Sequence, residues 1–197
     1  MRDEFKNSEN WYYRFLPHYD ASDKYQFITY RLFDSLPKSV LIDLKEKCFK
    51  SKIIDEADKQ KYKILIDKFL DKGHGSCLLG NESAAKIVQE NWYFFHKVRY
   101  DLIAFVIMPN HVHLLIKTYK NWPLNKVIHS WKSFSAHKIK KTLKLSNEFC
   151  VWQREYWDTF IRDEKHFRKA LNYIHTNPVK AGLVKSEVLW PFSSYKP

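Results

Sequence analysis

Cysteine is sparse and scattered: the three residues Cys48, Cys77 and Cys150 are odd in number and nowhere stand in C-x-x-C spacing. That arrangement excludes the usual zinc and dithiol redox signatures and fits a reducing compartment. No run of about 18 apolar residues is available to cross a bilayer. The opening Met1-Arg2-Asp3-Glu4 leads into no apolar signal segment. The expected location is therefore the cytoplasm, with no membrane partner. Internal repeats and low-complexity tracts are missing as well. Acid is in deficit: 22 Asp and Glu stand against 34 Lys and Arg, a formal net charge of +12. This balance favours a polyanion over an acidic small molecule as partner. A solvated lysine surface would give the same balance, so charge needs a second witness.

Hydrophobic residues make up 45% and aromatic residues 17% of the 197 positions, enough for a substantial core. The length favours a single domain over 1–197. The β-branched and aromatic stretch Tyr25 to Phe33 predicts a strand, ended by the turn-like Asp34-Ser35-Leu36-Pro37. From Val40 to about Leu70 the pattern is lysine-rich and helical. The loop Asp71 to Ser76 that follows holds two of the four glycines. Together these form a surface elaboration at about 38–82. Ala84, Ile87, Val88, Trp92 and Phe95 then predict an amphipathic helix, with Asn81 or Ser83 as cap.

Tyr100 to Met108 and His111 to Thr118, divided at Pro109-Asn110, read as a hairpin of buried strands. Leu124, Val127, Ile128, Trp131, Phe134 and Ile139 give the next helix an apolar side, on which Trp131 and Phe134 are expected in the core. Phe149 to Ile161 is aromatic and a place for a further strand, and a last helix runs from about Asp163 to near Pro178, which stops it or lies just beyond. The order of elements predicts an α+β fold, an antiparallel sheet with helices packed on it, close to a ferredoxin-like split βαβ arrangement.

His111 and His113 are two apart in a strand, so both imidazoles project from one face while Val112 enters the opposite layer. Imidazole suits several divalent metals, and a strand holds it rigidly. With nine histidines in the chain, spacing alone fits a buried structural pair equally well. In the last helix Phe167, Ala170, Leu171 and Ile174 form the core stripe. Tyr173 and Asn177, four apart, share a neighbouring face where a phenol and an amide oxygen can reach one site. A tyrosine there can equally be a packing residue, and an asparagine before proline a helix-stop signal. His166 shares the Tyr173 face and reads as a helix-start residue, whereas His175 faces away. Off the apolar stripe, Lys132, Lys138, Lys140, Lys141 and Lys144 are candidates for phosphate contact. Cys77 has no neighbour that would make its thiol a nucleophile.

Two blocks carry a resemblance: Met108-Pro109-Asn110-His111-Val112-His113-Leu114-Leu115, and Tyr173-Ile174-His175-Thr176-Asn177-Pro178-Val179-Lys180-Ala181-Gly182-Leu183-Val184. They resemble the signature blocks of the IS200-like, single-tyrosine, HUH-type transposases, especially the REP-associated tyrosine transposases. The likeness extends in order through Tyr25 to Pro37, Trp131-Lys132-Ser133-Phe134, Trp152 to Asp158, Phe167 and Trp190-Pro191-Phe192-Ser193-Ser194. It implies that His111 and His113 bind a divalent metal, Mg²⁺ or Mn²⁺, that Tyr173 is the nucleophile, and that Asn177 holds the place of the third, polar ligand. It also implies single-stranded hairpin DNA as substrate and a 5′-phosphotyrosine intermediate, with the enzyme acting alone or as a homodimer. The alternatives are a non-catalytic or domesticated nucleic-acid-binding regulator of the same fold, a phosphoesterase without a covalent intermediate, and a replication or conjugation nickase.

Overall fold

The structure, a computed structural model, describes residues 11–13, 17–19, 23–48 and 56–196. Two short strands, β1 (Trp11–Tyr13) and β2 (Pro17–Tyr19), pair antiparallel. The main sheet contains β3 (Tyr25–Arg31), β4 (Tyr100–Ile107), β5 (His111–Thr118) and β6 (Trp157–Phe160), in the order β4-β5-β3-β6 with every neighbouring pair antiparallel. Because β5 lies antiparallel between β3 and β4, those two strands run in the same direction. The helix that joins them, α3 (Glu82–Phe94), makes the crossover of a split βαβ unit. A second crossover, α4 (Leu124–Thr142), leads from β5 to β6. The expected fold class is the observed one.

Strand alternation decides which helix covers which face. Ile28, Tyr30, Phe105, Ile107, Val112, Leu114 and Ile116 turn to one side and meet Ala84, Val88 and Trp92 of α3 with Val127, Ile128 and Trp131 of α4. Inside this layer the Tyr100 hydroxyl donates to the Trp92 carbonyl at 2.6 Å and accepts from Trp131 Nε1 at 2.8 Å. Phe27, Ala104, Val106 and Leu115 turn to the other side and meet Ala170 and Ile174 of α5 (Glu164–Lys180). The outer edge of β4 is closed by the C-terminal segment, where Ile107 N donates to Phe192 O and Ser194 N to Phe105 O.

Helix ends follow local chemistry. Asn81 caps α3 by accepting from Ser83 N and Ala84 N, and Asp163 caps α5 by accepting from His166 N. Pro178 lies inside α5 and does not stop it. It stands in the last turn, and just past the C-cap Ala181 the φ of 71° at Gly182 allows Leu183 N to reach Pro178 O and Gly182 N to reach Val179 O.

One further expectation is revised. Phe134 is 54% exposed, while Trp131 is buried. The inward position beside it belongs to Ser135, whose hydroxyl donates to Trp131 O and accepts from Trp152 Nε1, so a small polar residue completes the core stripe. The aromatic stretch 149–161 holds its expected strand as the four-residue β6, with a bridge between Leu32 and Trp152 before it.

The segment 38–82 contains α1 (Lys38–Cys48) and α2 (Glu56–Leu70), which pack through Leu44, Cys48 and Tyr62. It does more than decorate the surface. Tyr62 and Trp157 bring α2 against the β6 edge, on the sheet face that carries α5.

Candidate active site

His111 and His113 are fully buried on the α5 face of β5. Their Nε2 atoms approach to 3.1 Å. Neighbours fix the other ring nitrogens. Asn110 spends both hydrogens of its Nδ2 on backbone carbonyls, Leu70 O at 3.1 Å and His74 O at 3.0 Å. Its Oδ1 is thereby turned to His111 Nδ1 at 2.7 Å, which places the imidazole hydrogen on Nδ1 and leaves the Nε2 lone pair free. Thr29 stands directly opposite His113 in the β3–β5 register, and its hydroxyl meets His113 Nδ1 at 2.7 Å. A hydroxyl can donate or accept. His113 can therefore carry its hydrogen on Nε2 and donate to His111, or on Nδ1 with both Nε2 lone pairs free for a shared ion. Burial pushes the His111 pKa down to about 3. His113 is pushed well below the ordinary value by burial, then by His111 and Lys63. Both rings are neutral, the form that ligates a metal.

Helical phase brings Tyr173 and Asn177 of α5 over this pair. The Tyr173 ring lies edge-on to His113 at 5.1 Å and to Phe27 at 5.8 Å. Asn177 is completely buried, yet neither atom of its amide has a hydrogen-bond partner. A buried orphan amide costs about 1–3 kcal/mol unless something else satisfies it. All four residues expected at the site converge on one face of the sheet. His166 stands in the first turn of α5, where its backbone N–H donates to the Asp163 cap, and His175 points away to Ser194 Oγ at 3.1 Å, as helical phase indicates.

Sequence reasoning missed the acidic row on α2 and the turn that continues it. The Tyr173 hydroxyl donates to Asp67 Oδ2 at 3.4 Å, a long contact, and Asp71 Oδ1 lies 3.9 Å from His111 Nε2. Lys63, one turn before Asp67, places Nζ 4.6 Å from the Phe27 ring centre. Burial raises both carboxyls to about 6. Lys63 opposes this at Asp67, and Lys180 opposes it at Asp71. The Tyr173 phenol is pushed far above its ordinary value by burial first, then by the charges of Asp67 and Asp71. The nearby Asn177 amide favours the phenolate without reaching full hydrogen-bond geometry. The phenol therefore rests protonated, and its use as a nucleophile requires a proton acceptor close by.

Among the described residues no group of three or more His, Cys, Asp or Glu side chains is closed up as a metal centre. The donors here are mixed: two imidazoles, an amide and a more distant carboxylate. The 3.1 Å between Nε2 atoms suits two ligands at right angles, because ligands at about 2.1 Å from one ion then lie about 3.0 Å apart. With the orphaned Asn177 amide, this donor set fits a divalent cation.

The candidate phosphate-binding lysines lie elsewhere. α4 packs on the sheet face opposite α5, so its lysines stand across the sheet from the histidines. Lys138, Lys141 and Lys144 are exposed. Lys132 is partly buried, and its amine donates to Gln153 O and to Arg154 O at 2.8 Å. Burial lowers its pKa to about 8. Lys140 donates to Asn147 O at 2.9 Å.

Residues 81–177 match the family model described as "Transposase IS200 like". That stretch contains His111, His113 and Tyr173 and ends on Asn177; Asp67 and Asp71 lie outside it. A REP-associated tyrosine transposase of Escherichia coli is 33% identical over 100 residues, covering 49% of this chain and 54% of the relative. A candidate REP-associated tyrosine transposase of Haemophilus influenzae is 33% identical over 104 residues, covering 49% of this chain and 59% of the relative. The chain thus spans a little over half the length of these relatives. The solved structure of a REP-associated tyrosine transposase bound to a REP hairpin superposes with a TM-score of 0.59 at 20% identity, over 93% of this chain and 82% of the other. At that identity the likeness is one of fold. Among the described residues no helix is long and apolar enough to cross a membrane.

Proposed function

We propose that the chain is a transposase of the IS200-like kind, whose family model residues 81–177 match, and that it is a metal-dependent single-stranded DNA endonuclease and strand transferase, working as a single domain through Tyr173 on hairpin-forming DNA. The observation that carries this reading is the convergence of His111, His113, Tyr173 and the unpartnered Asn177 amide on one buried face. Hairpin DNA as the substrate class is supported by the fold shared with a transposase solved on a REP hairpin.

His111, His113 and Asn177 would hold the ion, Mg²⁺ or Mn²⁺. When bound, it supplies Lewis-acid stabilisation of the charge that develops on the phosphate and on the departing 3′ oxygen. The remaining work falls to the chain. The Tyr173 oxygen forms a bond to phosphorus while the bond from phosphorus to the 3′ oxygen breaks. The phenolic proton is lost to Asp67, the carboxylate that already accepts the Tyr173 hydrogen bond, and the 3′ oxygen leaves as a hydroxyl by taking one proton from solvent water. A 5′-phosphotyrosine keeps the energy of the diester, so a second 3′-hydroxyl can reverse the step without ATP. Packing of Tyr173 against Phe27 and His113 fixes the ring, which limits the entropy lost on attack. The exposed lysines of α4 would hold phosphates of the hairpin on the opposite side of the sheet.

The test is cleavage of labelled single-stranded hairpin DNA beside a fully paired duplex of the same sequence. The reading expects metal-dependent nicking of the hairpin strand that chelator abolishes and added Mg²⁺ or Mn²⁺ restores. Chelator-insensitive cutting, or no binding to hairpin DNA, would overturn it.

A further inference from the structure

Two imidazoles and an amide bring no negative charge to a divalent cation. Resting on the metal reading just given, we propose that Asp71 is a further ligand, a carboxylate delivered to the ion by α2 from outside the stretch that matches the transposase family. Three observations carry it. First, Asp71 Oδ1 is a buried oxygen with no hydrogen-bond partner. Second, it faces His111 Nε2 at 3.9 Å, and that nitrogen has no hydrogen to give, because Asn110 Oδ1 holds the imidazole hydrogen on Nδ1. A carboxylate oxygen and an imidazole lone pair are two acceptors. Facing each other they repel, and a cation between them satisfies both. Two ligands at about 2.1 Å from one ion lie between about 3.0 and 4.2 Å apart, depending on the angle between them, and the two separations here, 3.1 and 3.9 Å, fall in that interval. Third, the wholly buried Asn177 amide on the same face also lacks any partner.

The chain holds Asp71 firmly where this role needs it. Its backbone N–H donates to Asp67 O at 3.0 Å, continuing the last turn of α2. On either side of it, Leu70 O and His74 O accept from the same Asn110 amide that orients His111. One asparagine thereby ties the carboxylate-bearing turn to the imidazole that would share its ion. A carboxylate and an amide oxygen beside two imidazoles shift the donor set toward oxygen, as Mg²⁺ and Mn²⁺ prefer.

The measurement is Mn²⁺ affinity of the full chain without DNA, read from the electron paramagnetic resonance signal of the free ion, for wild type, Asp71→Asn, Asp71→Ser, Asp67→Asn and His111→Ala, with a thermal melt of each. The expected result is an affinity loss of about tenfold or more in both Asp71 variants, a smaller loss in Asp67→Asn and a larger one in His111→Ala. Wild-type affinity in a folded Asp71 variant, with His111→Ala weakened, would overturn the Asp71 assignment and leave the proposed function standing. Equal losses in Asp67→Asn and Asp71→Asn would reduce Asp71 to a source of field and overturn it too. Unchanged affinity in His111→Ala would overturn the metal reading itself.

Discussion

Asn110 sits directly before His111, and its side chain decides what its neighbour can do: with both Nδ2 hydrogens committed to Leu70 O and His74 O, only Oδ1 remains to meet His111 Nδ1 at 2.7 Å. Partners of this kind orient a ligand and raise its basicity. Asn110→Ala would release the imidazole, take the amide donor from His74 O and leave Leu70 O with Gly73 N as donor. The expected outcome is a stability loss of about 1–3 kcal/mol, with Mn²⁺ affinity reduced by about 10–100-fold. Denaturant melts and metal titration check it. A variant that melts earlier but keeps wild-type metal affinity would show that Asn110 serves only the loop.

The same loop depends on Gly75. Its φ is 85°, and a Cβ there would stand 2.5 Å from the backbone oxygen of Asp34. The next residue is bound as well, since Ser76 N donates to Asp34 Oδ2 at 2.7 Å. Gly75→Ala is expected to cost more than about 1 kcal/mol. It should also shift the His74 carbonyl from Asn110, so that metal affinity falls along with the melting temperature. An unchanged melt would contradict this.

How far the sequence alone reveals the site differs from residue to residue. The period of two in β5 places His111 and His113 together, and the spacing of four in α5 places Tyr173 beside Asn177, because each pair lies within one regular element. Asp67 and Asp71 escape notice because their helix is lysine-rich, where an acid four residues from another charge looks like solvated surface. A signal is present. Lys63, Asp67 and Asp71 form the row next to Tyr62, Ile66 and Leu70, two of which are buried and the third partly so, so the row flanks a packed face. What no spacing shows is that this face meets the sheet at the histidines, which is a matter of tertiary docking. Phe134 misleads for a related reason: periodicity cannot tell that Ser135 holds the inward position through bonds to Trp131 and Trp152.

On the other face of the sheet, Tyr100 tests the core without touching the site. Its hydroxyl is the acceptor for Trp131 Nε1 and the donor to Trp92 O. Tyr100→Phe leaves both groups buried and unmatched, at an expected cost of about 1–3 kcal/mol. DNA cleavage below the melting temperature should be unaffected, and a large loss of activity in the folded variant would contradict the separation of the two layers.

The lysines of α4 and of the turn that follows it divide by their partners. Neutralising the exposed Lys138, Lys141 and Lys144 together should weaken hairpin binding and flatten its salt dependence, by about 0.7 in log–log slope for each phosphate of single-stranded DNA that these amines neutralise. Lys132→Gln should chiefly lower stability, since its amine is held by the carbonyls of Gln153 and Arg154. If the triple variant shows the wild-type slope, α4 lies outside the DNA footprint.

The central claim is that the Tyr173 oxygen becomes joined to DNA, and the most direct measurement is mass spectrometry of the denatured, protease-digested reaction with labelled hairpin single strands and Mn²⁺. The account predicts a 5′-phosphonucleotide on the peptide that contains Tyr173, with release of a 3′-hydroxyl fragment. In Tyr173→Phe, which removes only the hydroxyl and leaves the ring against Phe27 and His113, adduct and cleavage should both vanish while metal affinity stays near wild type. Cleavage that continues in Tyr173→Phe, with no adduct in wild type, would make water the nucleophile and contradict the account.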